Sequence, residues 1–312
     1  MGYKEVDKNI FVAVDIGGTK ISIALFKNAK IFKKIRLETN PQEQPTKDKP
    51  HLIADNIINS LINYKEKITE IGIATTGVIH KGYWSVLNKK ILGEFSEFPL
   101  TEYINKVFDV PVFAFSDTEA AALGEFRFGA GKEFKDFYYI TVSTGVGGSM
   151  VLDKKLYSKS PNLAGAFGHM VVVSDGNLCG CGRKGCIEAY SSGTAFKKII
   201  NNSEFENLTV KDVLLNKLDN PWVSELIQKS CKYLAEGIVN VNLLLGINNF
   251  IIGGSIGLNN RFFEEIQKQT SLISSQVIKF EKAQLKNDAE LFGCFAKSAY
   301  FNFDNKYEKK YE

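Results

Sequence analysis

"VAVDIGGTKISIALF", residues 12–26, decides the fold. An apolar run ends at Asp15, a glycine pair follows, and apolar and polar residues then alternate. Alternation with period two sends successive side chains to opposite faces of a strand, so the stretch reads as strand, tight turn, strand. "KIFKKIRLE" (30–38) extends it to three consecutive strands. The same unit returns as "YYITVSTGVGGSMVL", residues 138–152. A single recurrence is no solenoid period. It marks two related α/β domains, each presenting one glycine turn to a shared cleft.

The rest of the chain fits around these units. A polar, Pro-containing loop is expected at 40–50 and a helix at 51–65. Strands follow at "EIGIATT" (70–76) and "VPVFAFS" (110–116). "SDTEAAALGEFRF" (116–128) reads as a helix, with Ser116 and Glu119 in capping-box spacing. Helical periodicity fills 222–245, a buried strand "NFIIGG" follows, and further helices are expected near 261–275 and 288–300. The tail "NKYEKKYE" is a solvated charge run.

At 312 residues the chain is long enough for a large core and for two domains. A net charge of +4 is too mild and too evenly spread to argue for nucleic acid. No apolar run approaches the roughly 18 residues of a membrane span. The start, "MGYKEVDKNIFVAV", has acidic residues and a short apolar run, so it does not read as a signal peptide. Val6 stands where a myristoylation motif places Ser or Thr. The expectation is a cytoplasmic protein, in which thiols stay reduced and clustered cysteines bind metal in preference to forming disulfides.

Asp15-Ile16-Gly17-Gly18-Thr19-Lys20 offers a carboxylate, bare backbone N–H groups, a hydroxyl and an ammonium. Such N–H groups form an anion nest, because no Cβ blocks a phosphate. Thr144-Gly145-Val146-Gly147-Gly148 repeats the arrangement with a hydroxyl and no charge. Either turn alone reads better as a tight hairpin; two in equivalent places of a duplicated unit favour a clamped nucleotide. Gly253-Gly254-Ser255 follows a buried strand and reads alternatively as a plain βα loop. Neither a GxxxxGK[ST] loop nor a strand-linked GxGxxG is present, which argues against a Walker-type or dinucleotide fold.

"GHMVVVSDGNLCGCGRKGCIEAY", residues 168–190, gathers three of the five cysteines and one of the three histidines. His169, Cys179, Cys181 and Cys186 suit tetrahedral zinc with every position filled by protein, a structural ion. The alternative is a reduced, unliganded cysteine loop. Cys231 and Cys294 lie in helical patterns and read as core. Glu188 reads as a surface carboxylate, and Asp117, at a strand-to-helix junction, as an acid satisfying the helix dipole.

Together these motifs resemble the ROK family of sugar kinases, within the actin-like ATPase superfamily. "DIGGTK" looks like the family's first phosphate loop, "TVSTGVGG" its second, "CGCGRKGCIE" its cysteine signature and "IIGGSIGL" its adenosine-side turn. The resemblance runs from about residue 11 to about residue 298. Within the family, "ATTGVI", "VSTGVGG" and "GGSIGL" look most like bacterial N-acetylmannosamine kinases.

The resemblance implies an α/β fold, the duplicated actin-like ATPase (ribonuclease H-like) two-domain fold with an inter-domain active-site cleft. Residues 1–116 plus about 289–312 would form the N-terminal domain, and 117–288 the larger C-terminal domain carrying the zinc loop. The activity implied is ATP-dependent phosphorylation of N-acetyl-D-mannosamine at its 6-hydroxyl in sialic acid catabolism, with a glucokinase or other ROK hexose kinase as the alternative. Asp117 would be the catalytic base, and Asp15 would help place Mg²⁺. Thr76, Gly77, Asn88, Ser116, His169 and Glu188 would bind the sugar. Asp15, Gly17, Gly18, Thr19, Lys20, Thr144, Gly145, Val146, Gly147, Gly254 and Ser255 would bind nucleotide. His169, Cys179, Cys181 and Cys186 would hold structural Zn²⁺. The implied partners are a small-molecule sugar and a second copy in a homodimer, with no nucleic acid and no membrane.

Two positions depart from the family pattern. Ser116 replaces the usual Asn, and could hydrogen-bond the sugar or cap the helix instead. Ala166 stands where the family's ExGH or HxGH has a polar residue, which removes a sugar contact or makes room for a 2-acetamido group. The family's sugar-responsive repressors carry an additional N-terminal helix-turn-helix, for which the strand beginning by residue 11 leaves no room. A non-catalytic sugar-binding protein is disfavoured by Asp117 and the two phosphate turns.

Overall fold

The structure, a computed structural model, describes residues 9–39, 49–86, 92–159, 164–217 and 219–298. Residues 40–48, Asn88, the charged tail and the last two positions expected in the final helix lie outside the described residues. The chain divides into two compact units. One takes Met1–Arg127, Ser158–Leu163 and Asp288–Glu312; the other takes Phe128–Tyr157 and Ala164–Asn287.

In the first unit β1 (Ile10–Ile16), β2 (Lys20–Lys27) and β3 (Lys30–Glu38) form an antiparallel meander. The Gly17-Gly18 turn joins β1 to β2, and Asn28-Ala29, both at positive φ (52° and 59°), joins β2 to β3. After α1 (Lys49–Leu61) comes β4 (Ile68–Thr75), then a small hairpin of β5 (Val78–His80) and β6 (Tyr83–Ser85). Next are α2 (Leu100–Phe108), β7 (Val112–Ser116) and α3 (Asp117–Phe128). β4 and β7 join parallel to β1, giving sheet order β3-β2-β1-β4-β7. The expected helix at 51–65 is shorter: α1 stops at Leu61, and Ile62–Lys67 tightens into a 3₁₀ turn ahead of β4.

The second unit repeats this topology. β8 (Phe137–Val142), β9 (Val146–Leu152) and β10 (Lys155–Leu156) are the antiparallel meander. Short helices α4 (Glu188–Ser191), α5 (Gly193–Ile200) and α6 (Val210–Asn216) precede the long α7 (Pro221–Leu245). Then come β11 (Asn249–Gly253), α8 (Asn260–Ile273) and β12 (Lys279–Lys282). The sheet runs β10-β9-β8-β11-β12, with β11 parallel to both its neighbours. α7 starts where Asn220 caps it, its side chain accepting from the N–H of Trp222 (2.9 Å), with Pro221 in the first helical position. It ends at Gly246, which adopts the left-handed conformation.

Each unit has its own core. β1, β2 and β4 contribute Val12, Val14, Ile23, Leu25, Ile71 and Ile73 to one, packed against α1 and α2. Ile140, Phe250, Ile252, Leu234 and Ile238 anchor the other. The last helix, α9 (Ala289–Lys297), returns to the first unit and packs against β1 and β4. Its seat is made by glycines: a Cβ on Gly293 would strike the Ala120 carbonyl, and one on Gly124 the Ala289 carbonyl. This contact draws α3 into the first unit, so the division falls after Arg127, where the sequence reading placed it at 116/117.

Candidate active site

In a parallel sheet the carboxyl ends of the strands share one edge, and ligand-binding loops gather there. The register pairs Ile16 with Thr75 and Thr75 with Ser116. The residues that follow β1, β4 and β7 therefore emerge side by side: the Gly17–Lys20 turn, Thr76-Gly77, and Asp117. The first turn is closed by the Gly17 N–H donating to the Lys20 carbonyl (3.0 Å), and by the Thr39 hydroxyl donating to the Gly17 carbonyl (2.8 Å). Thr76 is tied to β1 by its N–H on the Ile16 carbonyl (3.3 Å), and its carbonyl accepts from the Trp84 indole (2.9 Å). Gly77 follows at φ +104°, where its missing Cβ faces the Ser85 carbonyl.

Ser116 and Glu119 form the capping box their spacing predicts. The Ser116 hydroxyl accepts from the Glu119 N–H (3.2 Å), and the Ser116 N–H donates to Glu119 Oε2 (3.3 Å). The same hydroxyl lies 3.1 Å from that of Thr118. Of the two roles open to Ser116, the structure shows the cap. Asp117 begins α3, with Oδ1 accepting from the Thr118 N–H (2.8 Å).

The electrostatics of this edge are those of crowded carboxylates. Burial raises Asp15 to about 7, the charge of Asp117 adds to the rise, and Lys20 opposes it. Burial also raises Asp117, against the hydrogen bonds at the start of α3. A third acid, Glu290, is pushed well up by burial and then by Asp15 and Asp117. It stands on α9 one turn before Cys294, whose sulfur lies 3.9 Å from the Val14 carbonyl beside Asp15.

In the second unit the turn after β8 is tied at several points. The Ser143 N–H donates to the Gly145 carbonyl (2.9 Å), and the Thr194 N–H and hydroxyl both donate to the Thr144 carbonyl (3.1 and 2.9 Å). The Gly254-Ser255 turn lies alongside: the hydroxyls of Ser143 and Ser255 are 3.2 Å apart, and the Ile256 N–H bonds the Val142 carbonyl (3.0 Å).

His169, Cys179, Cys181 and Cys186 converge, with their ligand atoms all within 4.8 Å of one another. The loop is folded by its backbone: the Cys179 N–H bonds the Arg183 carbonyl (2.8 Å), the Gly182 N–H the Cys179 carbonyl (3.1 Å), and the Ile187 N–H the Met170 carbonyl (3.0 Å). Zinc–sulfur bonds of about 2.3 Å place tetrahedral sulfur–sulfur edges at about 3.8 Å and sulfur–nitrogen edges near ~3.6 Å. Cys181 and Cys186 are 3.8 Å apart, and Cys179 is 3.7 Å from His169 Nδ1. These two edges match a tetrahedral site, and the four residues together could hold a metal ion. Burial pushes the Cys179 thiol up to about 12 and raises Cys186, so an incoming metal displaces protons.

The chain matches the ROK family over residues 11–298. It belongs to the ROK family. An N-acetylmannosamine kinase of Haemophilus influenzae (strain PittGG) is 34% identical over 285 residues, covering 91% of this chain and 93% of that protein. One from Pasteurella multocida is 31% identical over 284 residues, covering 91% and 94%. A ROK glucokinase of Streptomyces griseus, solved with glucose and AMPPNP, has a TM-score of 0.77 at 28% identity, covering 91% of this chain and 97% of that one. The two-domain, duplicated actin-like fold expected from the sequence is the fold of this ROK protein. A sugar kinase of this family takes ATP, Mg²⁺ and a small-molecule sugar. No helix among the described residues is long and apolar enough to cross a membrane.

Within this ROK chain, Asp15, Gly17, Gly18, Thr19, Lys20, Thr76, Gly77, Ser116 and Asp117 cluster in the first unit. Thr144–Gly147, Gly254, Ser255, His169, Glu188 and the three cysteines cluster in the second. Two features escaped the sequence reading. Glu290 had a signal, an acid inside the otherwise apolar "AELFGCFA". The placement of Glu188 had none. Its Oε2 accepts from the Val146 N–H (3.0 Å), inside the glycine turn.

Proposed function

We propose that the protein transfers the γ-phosphoryl group of ATP to the 6-hydroxyl of N-acetylmannosamine. The observation that carries this reading is Asp117, a carboxylate of raised proton affinity at the carboxyl end of β7, on the same sheet edge as the Asp15–Lys20 turn and near enough for its charge to act on Asp15. A base for a sugar hydroxyl works best when its pKa approaches the operating pH, and burial moves Asp117 in that direction. The choice of sugar rests on relatives named N-acetylmannosamine kinase that match over most of both chains. These favour it over the glucokinase alternative.

ATP supplies the phosphoryl group and Mg²⁺ offsets its charge; the remaining work is positioning. Asp117 accepts the proton of the 6-hydroxyl. Asp15 faces the cation, and Lys20 offers its ammonium to phosphate oxygens. Gly17, Gly18 and Thr19, and Thr144, Gly145, Val146 and Gly147, are the two phosphate turns; Gly254 and Ser255 serve the adenosine side. Thr76, Gly77, Asn88, His169 and Glu188 take the sugar. Ser116 fixes the start of α3 by accepting from the Glu119 N–H, and its own O–H remains a donor that can meet a sugar hydroxyl.

The metal in this reading is zinc, held by His169, Cys179, Cys181 and Cys186. His169 Nδ1 lies on the cysteine side, which leaves Nε2 to meet the sugar. The protein pairs as a homodimer. The last turns of α7 and α8, which pack together, expose Leu243, Leu244, Leu245 and Leu272, an apolar surface suited to a second copy. Phosphorus NMR of the product from N-acetylmannosamine and Mg-ATP tests the chemistry. A single phosphomonoester coupled to the protons on C6 is expected; phosphate on C1, or hydrolysis to inorganic phosphate alone, overturns it.

A further inference from the structure

Glu188 touches two things at once. It stands two residues beyond Cys186, at the start of α4, and its backbone neighbourhood is fixed by the cysteine loop: the Ile187 N–H bonds the Met170 carbonyl (3.0 Å) and the Ala189 N–H bonds the Cys186 carbonyl (3.0 Å). Its side chain leaves that loop and ends in the glycine turn after β8. Oε2 accepts from the Val146 N–H at 3.0 Å, while Oε1 lies 3.9 Å from the Cys179 sulfur. A Cβ on Gly145 would sit 2.7 Å from Oε2, so this turn has a glycine where Glu188 needs the space.

We propose that Glu188 is a positioning residue for the phosphate-binding turn, in addition to its place beside the sugar, and that it carries the order of the metal loop into nucleotide binding. The inference rests on the reading of Thr144–Gly147 as a phosphate turn. The turn's backbone dipoles bind an anion only when they point together. With the Val146 N–H held by a carboxylate and the Thr144 carbonyl held by Thr194, both ends of the turn are fixed before nucleotide arrives. Loss of the carboxylate frees one end, and the ordering cost then falls on the nucleotide. Removing the acceptor leaves the Val146 N–H without its partner in the turn, a change large enough to measure in nucleotide binding.

The test is Mg-ADP binding by calorimetry, without sugar and without turnover, on wild type, Glu188→Ala, Glu188→Gln and wild type stripped of metal by a chelator. Glu188→Ala is expected to weaken ADP binding by about tenfold. Glu188→Gln keeps an oxygen that accepts from the Val146 N–H, and is expected to stay within about threefold of wild type. Metal-stripped protein, with the loop loosened, is expected to weaken in the same direction as the alanine variant. If Glu188→Ala binds ADP as wild type does while its sugar affinity falls, Glu188 serves the sugar alone and the proposal is wrong. Equal weakening in the alanine and glutamine variants also overturns it, because only carboxylate charge would then matter. Wild type that binds no Mg-ADP at all fails differently: it removes the phosphate turn itself, and the proposed function with it.

Discussion

Asp117 and Asp15 share one strand edge, and burial raises both. Their replacement should nevertheless have different consequences. Asp117→Asn keeps the shape and the helix-start hydrogen bond but cannot take a proton. Its kcat is expected to fall by 10²–10⁴, the usual worth of a general base, with nucleotide binding unchanged. Steady-state kinetics beside a nucleotide titration read both quantities. A kcat near that of wild type would remove Asp117 from the chemistry. For Asp15 the sign follows from linkage. Its pKa rises from 3.8 to about 7 on folding, so between those values the folded protein holds a proton that the unfolded chain has released. Stability therefore falls as pH rises through that window, and above it the folded state carries a charge beside Asp117 and Glu290. In the absence of Mg²⁺ and nucleotide, Asp15→Asn is expected to raise Tm by a few degrees at pH 8 and by much less at pH 5. Thermal unfolding at the two pH values decides; a shift of equal size at both would contradict the assignment. Such a gain would show stability yielded at a site shaped for a cation.

Packing of the long helix α7 against the metal loop sets the position of Glu188. Gly237, in mid-helix, faces Ile187, the residue before Glu188, and Phe167, two residues before His169. A glycine there costs helix propensity by about 1 kcal/mol relative to alanine. Yet a Cβ would lie 2.5 Å from Ile187 Cδ1 and 2.7 Å from Phe167 Cζ. Overpacking at such contacts typically costs about 1–3 kcal/mol. Gly237→Ala is thus expected to lower Tm and to reduce the metal retained after dialysis, measured by mass spectrometry. A raised Tm would mean that propensity wins and that the loop does not lean on α7. Strands and their turns were legible in the sequence because period-two alternation and glycine pairs are local signals. The capping box of α3 was legible for the same reason, from Ser116 and Glu119 alone. The seat of α9 was not. It depends on Gly124 and Gly293 meeting across 169 positions of sequence, and no local pattern marks which glycines meet. Glu188 on Val146 was hidden in the same way, since the contact joins a loop to a turn 42 residues away.

The molecule as a whole is one topology used twice: β3-β2-β1-β4-β7 and β10-β9-β8-β11-β12. The recurrence of a fifteen-residue pattern announced this duplication, and the pairing of the strands bears it out. What the duplication does not carry is the sugar. The first unit holds the acids and the second the metal loop. Ala166, where the family has a polar residue, lies next to the turn that carries His169, its carbonyl accepting from the His169 N–H (3.0 Å). Selectivity is therefore the property most exposed to the departures in this chain, and it is read by letting sugars compete. Equal concentrations of N-acetylmannosamine and glucose in one reaction with Mg-ATP give products in the ratio of their kcat/KM values. At least tenfold more N-acetylmannosamine 6-phosphate is expected, about 1.4 kcal/mol of discrimination at the transition state. A reaction yielding mainly glucose 6-phosphate would leave the phosphoryl chemistry standing and contradict the substrate.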